Sequence, residues 1–304
     1  MTAPPSWPAP RAPRRPRARR WVLVPLLGGA VAIVVAFSLF ISWLADLATS
    51  GAGGAGAEST VSLAPEPTTP ALSYVGFDAG DIMSDAVFFD SSTMGETQIA
   101  DFIATWNAGC RTGGDGTVCL ADHTEDTVSQ APDRWCTGGF TGATGDTAAS
   151  IVFKAARGCG INPQVLLTVL QKEQGLITAS GDSLNASRYR SATGYACPDG
   201  ATCDPAYRGF ARQVYFAARQ FQKYRSDPAA FGFVPGRTSE VAYGPNASCG
   251  SAPVAILNQA TAGLYAYTPY QPDAAALVGG TDSCASFGNL NFYAYFTAWF
   301  GSTH

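Results

Sequence analysis

The eight cysteines of this 304-residue chain restrict its fold more than any other feature, because all of them follow residue 109. An even number of cysteines indicates a framework of four disulfides if this part of the chain lies in an oxidising compartment. Zinc binding is the alternative, but no Cys-x-x-Cys pair occurs and His123 is the only histidine before the C-terminal residue. We therefore expect no metal and no cofactor. We expect a local Cys197–Cys203 loop and a longer Cys249–Cys284 bond, and the spacing leaves the other pairings open.

The N-terminal 45 residues have the pattern of a membrane anchor. Residues 1–20 carry six arginines and no acidic residue, and residues 21–45 contain no charged side chain. A helix crosses a bilayer with about 20 apolar residues, and the flanking arginines stay in the cytoplasm. The sequence therefore predicts a cytoplasmic tail, a transmembrane signal anchor at 21–45 in the plasma membrane, and an extracellular C-terminal part. Secretion after cleavage near residues 55–57 is the alternative.

A linker and one domain are predicted after the anchor. Residues 46–71 are rich in small residues and proline and lack periodicity, which indicates a flexible linker. Residues 72–304 have the length of a single domain. Residues 48–304 carry thirteen basic and twenty-two acidic side chains, which argues against nucleic acid as a partner. No Walker sequence and no Gly-x-Ser-x-Gly occurs, so no nucleotide and no serine-hydrolase chemistry is expected.

Helical patterns dominate residues 72–304. A capping-box spacing from Thr93 to Glu96 opens one helix, and Asp146 or Thr147 caps a second. Further helices are predicted in residues 161–180, 207–224, 254–265 and 288–300. Strand patterns are confined to a hairpin in residues 232–243 and to short pieces in residues 75–89. The fold class predicted is mostly α, as a single extracellular domain with disulfides.

The helix predicted in residues 161–180 carries an acidic residue in its apolar stripe. Asn162 is placed to cap the helix, and Pro163 suits its first position. Glu173 falls on the face formed by Leu166, Val169, Leu170 and Ile177. Apolar surroundings disfavour the charged form of a carboxyl group, and a general acid requires the uncharged form. The alternatives are a pair with an arginine in the core and a helix rotated so that Glu173 reaches solvent.

Tyrosines and amides form a second group of candidate site residues. Tyr265, Tyr267 and Tyr270 lie within six residues and follow Asn258 closely. Tyrosine offers a flat apolar face with a polar tip, which suits a sugar ring. Tyr195 lies in a similar position beside the predicted Cys197–Cys203 loop. The alternative is that Tyr265 is a core residue and that the other two tyrosines stabilise a turn.

The order of these segments resembles the lysozyme-like superfamily of goose-type lysozymes and soluble lytic transglycosylases. In that superfamily a helix ending near a glutamate acid/base is followed by a glycine-containing loop and a tyrosine-bearing helix that line the sugar cleft. The resemblance implies that Glu173 is catalytic and that the substrate-binding residues are Thr193, Tyr195, Asn258, Tyr265, Tyr267 and Tyr270. Segments such as LLTVLQKEQGLIT and NQATAGLYAYTPYQP also resemble secreted or anchored actinobacterial proteins described as haemagglutinin-like.

The resemblance implies an enzyme that cleaves cell-wall peptidoglycan, of lytic transglycosylase or muramidase type. A hydrolase needs a second carboxylate, for which Asp182, Asp199 and Asp204 are available. A transglycosylase needs only one acid/base, because a hydroxyl of the substrate closes the new ring. The chain departs from transglycosylase signatures at Glu173-Gln174, Gly194-Tyr195-Ala196 and Tyr265-Ala266-Tyr267. A non-catalytic surface adhesin or glycan-binding module on the same scaffold is therefore the alternative function, and a scaffold partner of the wall-synthesis machinery is a third.

Overall fold

Helices provide most of the regular structure in the computed structural model, which describes residues 65–198 and 201–304. These residues form nine α-helices: α1 (Asp85–Phe88), α2 (Glu96–Trp106), α3 (Ala148–Cys159), α4 (Pro163–Gln174), α5 (Ala186–Arg190), α6 (Phe210–Ser226), α7 (Gln259–Tyr267), α8 (Ala274–Leu277) and α9 (Gly288–Phe300). Two small antiparallel sheets accompany them. One pairs β1 (Thr124–Glu125) with β2 (Asp146–Thr147), and the other pairs β3 (Arg237–Ala242) with β4 (Ser251–Ile256). The prediction of a mostly α-helical domain is confirmed.

Capping residues set the ends of α4. The Asn162 side chain accepts a hydrogen bond from the Gln164 backbone N–H at 2.8 Å, and Pro163 occupies the first helical position, both as predicted. Gly175 adopts a left-handed conformation with φ of 59° and ends the helix after Gln174. The prediction of a helix continuing to residue 180 is therefore wrong at this end. Glu173 lies one residue from the helix terminus as a result.

Three other predicted segments differ from the structure. Residues 232–243 do not form a hairpin, because their one strand, β3, pairs with β4. Residues 251–256 form β4 rather than a helix, with Val254 and Ile256 buried in alternation, and α7 begins only after its cap Asn258. Within residues 75–89 no strand occurs, and Ser84 instead caps the short helix α1. The helix at 288–300 has the bounds that the sequence predicted.

The core surrounds α4, which packs against α3 and α9, while α3 also packs against α2 and α6. Leu166 and Leu170 of α4 are fully buried, as are Phe221 of α6 and Phe292 of α9. Burial of these side chains fixes the position of α4 in the domain. Apart from Gln164 in the first turn, the partly exposed residues of α4 are its last three, so the C-terminal end of the helix opens toward the surface.

Four disulfides connect the described residues, which confirms the predicted framework and fits an extracellular protein. Cys197–Cys203 and Cys249–Cys284 are paired as predicted. The two remaining bonds are Cys110–Cys119 and Cys136–Cys159.

The predicted tail and anchor, residues 1–20 and 21–45, lie outside the described residues. Within 65–198 and 201–304, no helix is both long and apolar enough to cross a bilayer. Of the predicted linker, residues 65–71 are described and contain neither helix nor strand. Glu66 in this segment forms an ion pair with Arg111.

Candidate functional site

A cavity of about 510 Å³ lies beside the C-terminal end of α4. Three other parts of the chain complete its walls: the loop after α5, the turn after α7 and the start of α9. The lining residues are Lys172, Glu173, Gln174, Gly194, Cys197, Tyr267, Thr268, Pro269, Tyr270, Ser286, Phe287, Gly288 and Asn291. The cavity has the size of a site for a small molecule or a few sugar rings.

Glu173 lies in this cavity with 22% of its side chain exposed. Its Oε1 atom accepts a hydrogen bond from Lys172 Nζ at 2.5 Å. Lys172 is only 9% exposed and also donates to Thr268 Oγ1 at 2.5 Å. The expected apolar surroundings are thus wrong in part, because α4 ends before Ile177 and a buried ammonium group contacts the carboxylate. The partner of Glu173 is this lysine and not a core arginine.

Gly194 faces the other carboxylate oxygen of Glu173. A Cβ atom built on Gly194 would lie 3.0 Å from Glu173 Oε2, and the φ of Gly194 is 71°. A side chain at this position would therefore both strain the backbone and press on the carboxylate. The glycine-containing loop therefore lies next to the Glu173 carboxylate.

The loop around Gly194 is attached to α6 by Gln213, which is 1% exposed. The Oε1 atom of Gln213 accepts hydrogen bonds from the backbone N–H groups of Thr193 at 3.3 Å and Tyr195 at 3.1 Å. Its Nε2 atom donates to the Tyr195 carbonyl at 3.0 Å. Thr193 is fully buried and donates to the Gln213 carbonyl, so it shapes the loop rather than facing the cavity.

Tyr267 and Tyr270, two of the expected substrate-binding residues, both line the cavity. The Tyr267 hydroxyl donates to the Thr193 carbonyl at 2.7 Å, which joins the end of α7 to the Gly194 loop. Burial raises the pKa of Tyr267 well above its usual value, and the negative charge of Glu173 raises it further. The hydroxyl therefore remains protonated over the physiological range. Tyr267 and Glu173 are close enough to interact electrostatically.

Four of the six expected substrate-binding residues, Thr193 and the three that follow, lie outside the lining of this cavity. Tyr265 is fully buried and donates its hydroxyl to the Ala79 carbonyl at 3.0 Å, so we assign it to the core. Asn258 caps α7 by accepting from the Thr261 N–H and donates to Asp81. The Tyr195 ring stacks on Phe216 of α6, with ring centroids 6.0 Å apart.

Sequence reasoning missed several residues of the cavity. Lys172 was not predicted to contact Glu173. The one sequence signal for this contact was that Lys172 directly precedes Glu173 at the end of an apolar helical segment. The start of α9 contributes Phe287, Gly288 and Asn291. Gly288 allows a close approach, because a Cβ atom there would lie 2.4 Å from the Thr268 side chain. A long-range approach of this kind leaves no pattern in the sequence.

The expected second carboxylates do not line the cavity in the described part of the chain. Asp204 caps the short turn at Pro205–Tyr207. Asp182 is exposed in another short turn, and Asp199 lies outside the described residues. Glu173 is the one carboxylate among the described residues that line the cavity.

Comparison of this chain with protein-family models, with curated proteins and with solved structures finds no match.

Proposed function

We propose that this protein cleaves the glycan strands of peptidoglycan on a lysozyme-like scaffold, with Glu173 as the single acid/base. The observation that carries the proposal is the position of Glu173, whose carboxylate lies at the end of a buried helix and in an open cavity. Carboxyl groups serve as proton donors and acceptors in glycoside cleavage. The extracellular location, with an anchor at 21–45 or after release from it, is part of the proposal and is supported by the four disulfides.

The chemistry proposed is that of a lytic transglycosylase rather than a muramidase. Hydrolysis needs two carboxylates on opposite sides of the scissile bond. In the described part of the cavity Glu173 is the one carboxylate, whereas Tyr270 and Asn291 provide aromatic and amide surface for sugar rings. In the proposed reaction Glu173 protonates the glycosidic oxygen as that bond breaks. It then accepts the proton of the substrate hydroxyl that closes the 1,6-anhydro ring.

The test is digestion of purified sacculi by the full-length chain and by Glu173→Gln. We expect the wild type to release soluble muropeptides with 1,6-anhydro ends, detected by mass spectrometry, and Glu173→Gln to release at least about 100-fold less. The matched control is Glu96→Gln, the same change at an exposed position in the first turn of α2. Unchanged release by Glu173→Gln would refute the proposal.

A glycan-binding module without turnover is the second candidate function, and one contact favours it. Lys172 neutralises Glu173 and hydrogen-bonds one of its carboxylate oxygens, which suits a polar binding pocket as well as a catalytic one. This alternative predicts saturable binding to sacculi with no new chain ends. Tyr270→Ala should then weaken binding, whereas Tyr243→Ala, which changes a tyrosine outside the cavity lining, should not.

A further inference from the structure

A surface on helix α6 is positively charged, although the domain as a whole is negatively charged. Helix α6 carries four basic residues and no acidic residue, although residues 48–304 as a whole are acidic. Three of them, Arg212, Arg219 and Lys223, are spaced so that they share one face of the helix with Phe216. We define the basic face as Arg212, Phe216, Arg219 and Lys223 of α6 together with Arg134, Trp135 and Arg208. None of the seven lines the Glu173 cavity.

Trp135 organises the cations at one end of the basic face. The guanidinium carbons of Arg134 and Arg219 each lie 4.1 Å from the centroid of its ring, and Lys223 Nζ lies 5.5 Å from it. The Trp135 Nε1–H donates to Ser226 Oγ at 3.1 Å, which ties the indole to the end of α6. These contacts hold Arg134 beside the indole with its N–H groups available to acceptors, whereas Arg219 Nε already donates to Asp133.

Most of the cations on the basic face have no carboxylate partner in the described residues. Arg219 pairs with Asp133 at 2.7 Å, whereas no carboxylate of 65–198 or 201–304 lies within ion-pair distance of Arg134, Arg208, Arg212 or Lys223. Glu125 and Asp126 line the same cavity as Arg208 and Arg212 but lie beyond ion-pair distance of them, and they accept backbone N–H groups from Ala211 at 2.8 Å and Gly145 at 2.9 Å. Unpaired positive charge is therefore strongest at the Trp135 end of the basic face.

The other end of the basic face is concave and partly aromatic. Arg208 and Arg212 line a cavity of about 260 Å³ with the part-exposed Phe216, whereas Phe140 and Tyr215 of the same lining are almost fully buried. The exposed ring surface of the basic face is therefore that of Phe216 and Trp135, and a concave surface with such rings fits a chain of sugar rings better than a flat lipid bilayer. Along α6, Arg212 and Lys223 are eleven residues apart, or about 16 Å, so they can reach successive charged units of a polymer.

We propose that the basic face binds an anionic polysaccharide that carries carboxylate groups on its sugar rings. The arginine forks pair with carboxylates, and the part-exposed rings of Trp135 and Phe216 contact the sugars. This inference does not depend on the proposed reaction at Glu173, since the two surfaces share no lining residue. Such binding would hold the protein on an acidic surface polymer.

The experiment measures binding of the full-length chain to immobilised polygalacturonate by biolayer interferometry, with dextran as the neutral polymer. We expect binding to polygalacturonate that weakens with added salt, and none to dextran. The variant Arg212→Gln combined with Lys223→Gln should bind about tenfold more weakly, since each exposed pair contributes about threefold. Arg134→Gln, a separate change in an exposed loop, should weaken binding about threefold.

The matched control is Arg225→Gln, which removes the same charge from the same helix. Arg225 lies away from the basic face, over the Phe89 ring at 4.2 Å, and its loss should change the dissociation constant by less than about twofold. Glu173→Gln should bind like the wild type. Absence of binding, an equal loss in Arg225→Gln, or tighter binding to poly(glycerol phosphate) or anionic lipid vesicles would each overturn the proposal.

Discussion

At the level of single residues, the surroundings of Glu173 are set by one ammonium group and one glycine. Lys172 holds Oε1, and the missing side chain of Gly194 leaves room for Oε2. The sequence indicated Glu173 through its place in an apolar stripe. It could not indicate that Lys172 would turn back onto Glu173, because the bond to Thr268 that directs the lysine crosses 96 positions of the chain.

Gly194→Ala should impair the site more than it impairs the fold. The new methyl group must adopt a positive φ, which costs about 1 kcal/mol of unfolding free energy, and it displaces the Glu173 carboxylate. We expect kcat/KM for muropeptide release to fall between about 10- and 100-fold. Gly236→Ala is the matched control, since Gly236 has a φ of 76° with open space around its Cβ position. Denaturant unfolding should show similar losses for both variants, and equal activity in the two would contradict this account.

At the level of elements, the N-terminus of α3 shows what local sequence can predict. Thr147 caps the helix by accepting from the Ser150 N–H, as one of the two expected caps. The other, Asp146, lies in β2 and pairs with Lys154 of α3, eight residues further on, at 2.5 Å. Helix caps depend on short-range spacing, which predicted the caps of α3 and α4, but the cap predicted for α2 at Thr93 is wrong, since Gly95 occupies that position. The boundary between β4 and α7 was not predictable, because strand pairing with β3 decided it and that pairing is non-local.

Asp146 should make the stability of this element depend on pH. Burial alone would raise the pKa of Asp146, but hydrogen bonds from Lys154 and Thr127 outweigh it and hold the pKa below its usual value. A carboxyl group of this kind adds stability above its unfolded-state pKa, and the contribution is lost as the pH falls through the folded-state value. The wild-type unfolding free energy should therefore decrease below about pH 4.

The variant Asp146→Asn tests that dependence. It should lower the unfolding free energy at pH 7 by about 2 kcal/mol and make the decrease between about pH 4 and pH 2 shallower. Asp101→Asn, at an exposed position in α2, is the control and should leave both quantities near the wild type. Urea denaturation at several pH values measures them. If the unfolding free energy of Asp146→Asn fell as steeply with acid as that of the wild type, the pH dependence would not be due to Asp146.

At the level of the whole molecule, the cavity depends on segments that are far apart in the sequence. Gly194, Tyr267 and Asn291 come from three separate regions and meet only in the folded chain. The residue types in two of these regions were predictable through the family resemblance. The part played by the start of α9 was not predictable, because Ser286 and Asn291 line the cavity but belong to no sequence motif.

The Cys249–Cys284 disulfide should therefore affect the cavity as well as stability. It closes a loop of 35 residues that includes α7 and ends two residues before Ser286, which donates a hydrogen bond to the Tyr243 carbonyl. Replacing both cysteines with serine should lower the unfolding free energy by about 3–4 kcal/mol, because the unfolded chain gains entropy. It should also loosen the wall at Ser286 and reduce kcat/KM at temperatures where the variant is still folded.

The matched control replaces Cys136 and Cys159, which close a loop of 23 residues away from the cavity lining. Chain entropy predicts a similar loss of about 3–4 kcal/mol for this pair. Because the second bond attaches the end of α3 to a loop that does not contact Glu173, activity per folded molecule should stay near the wild type. Thermal unfolding gives the midpoint of each variant. Muropeptide release, measured well below both midpoints, then separates the two effects. Equal losses of activity in the two variants would mean that general destabilisation, and not the cavity wall, explains the loss.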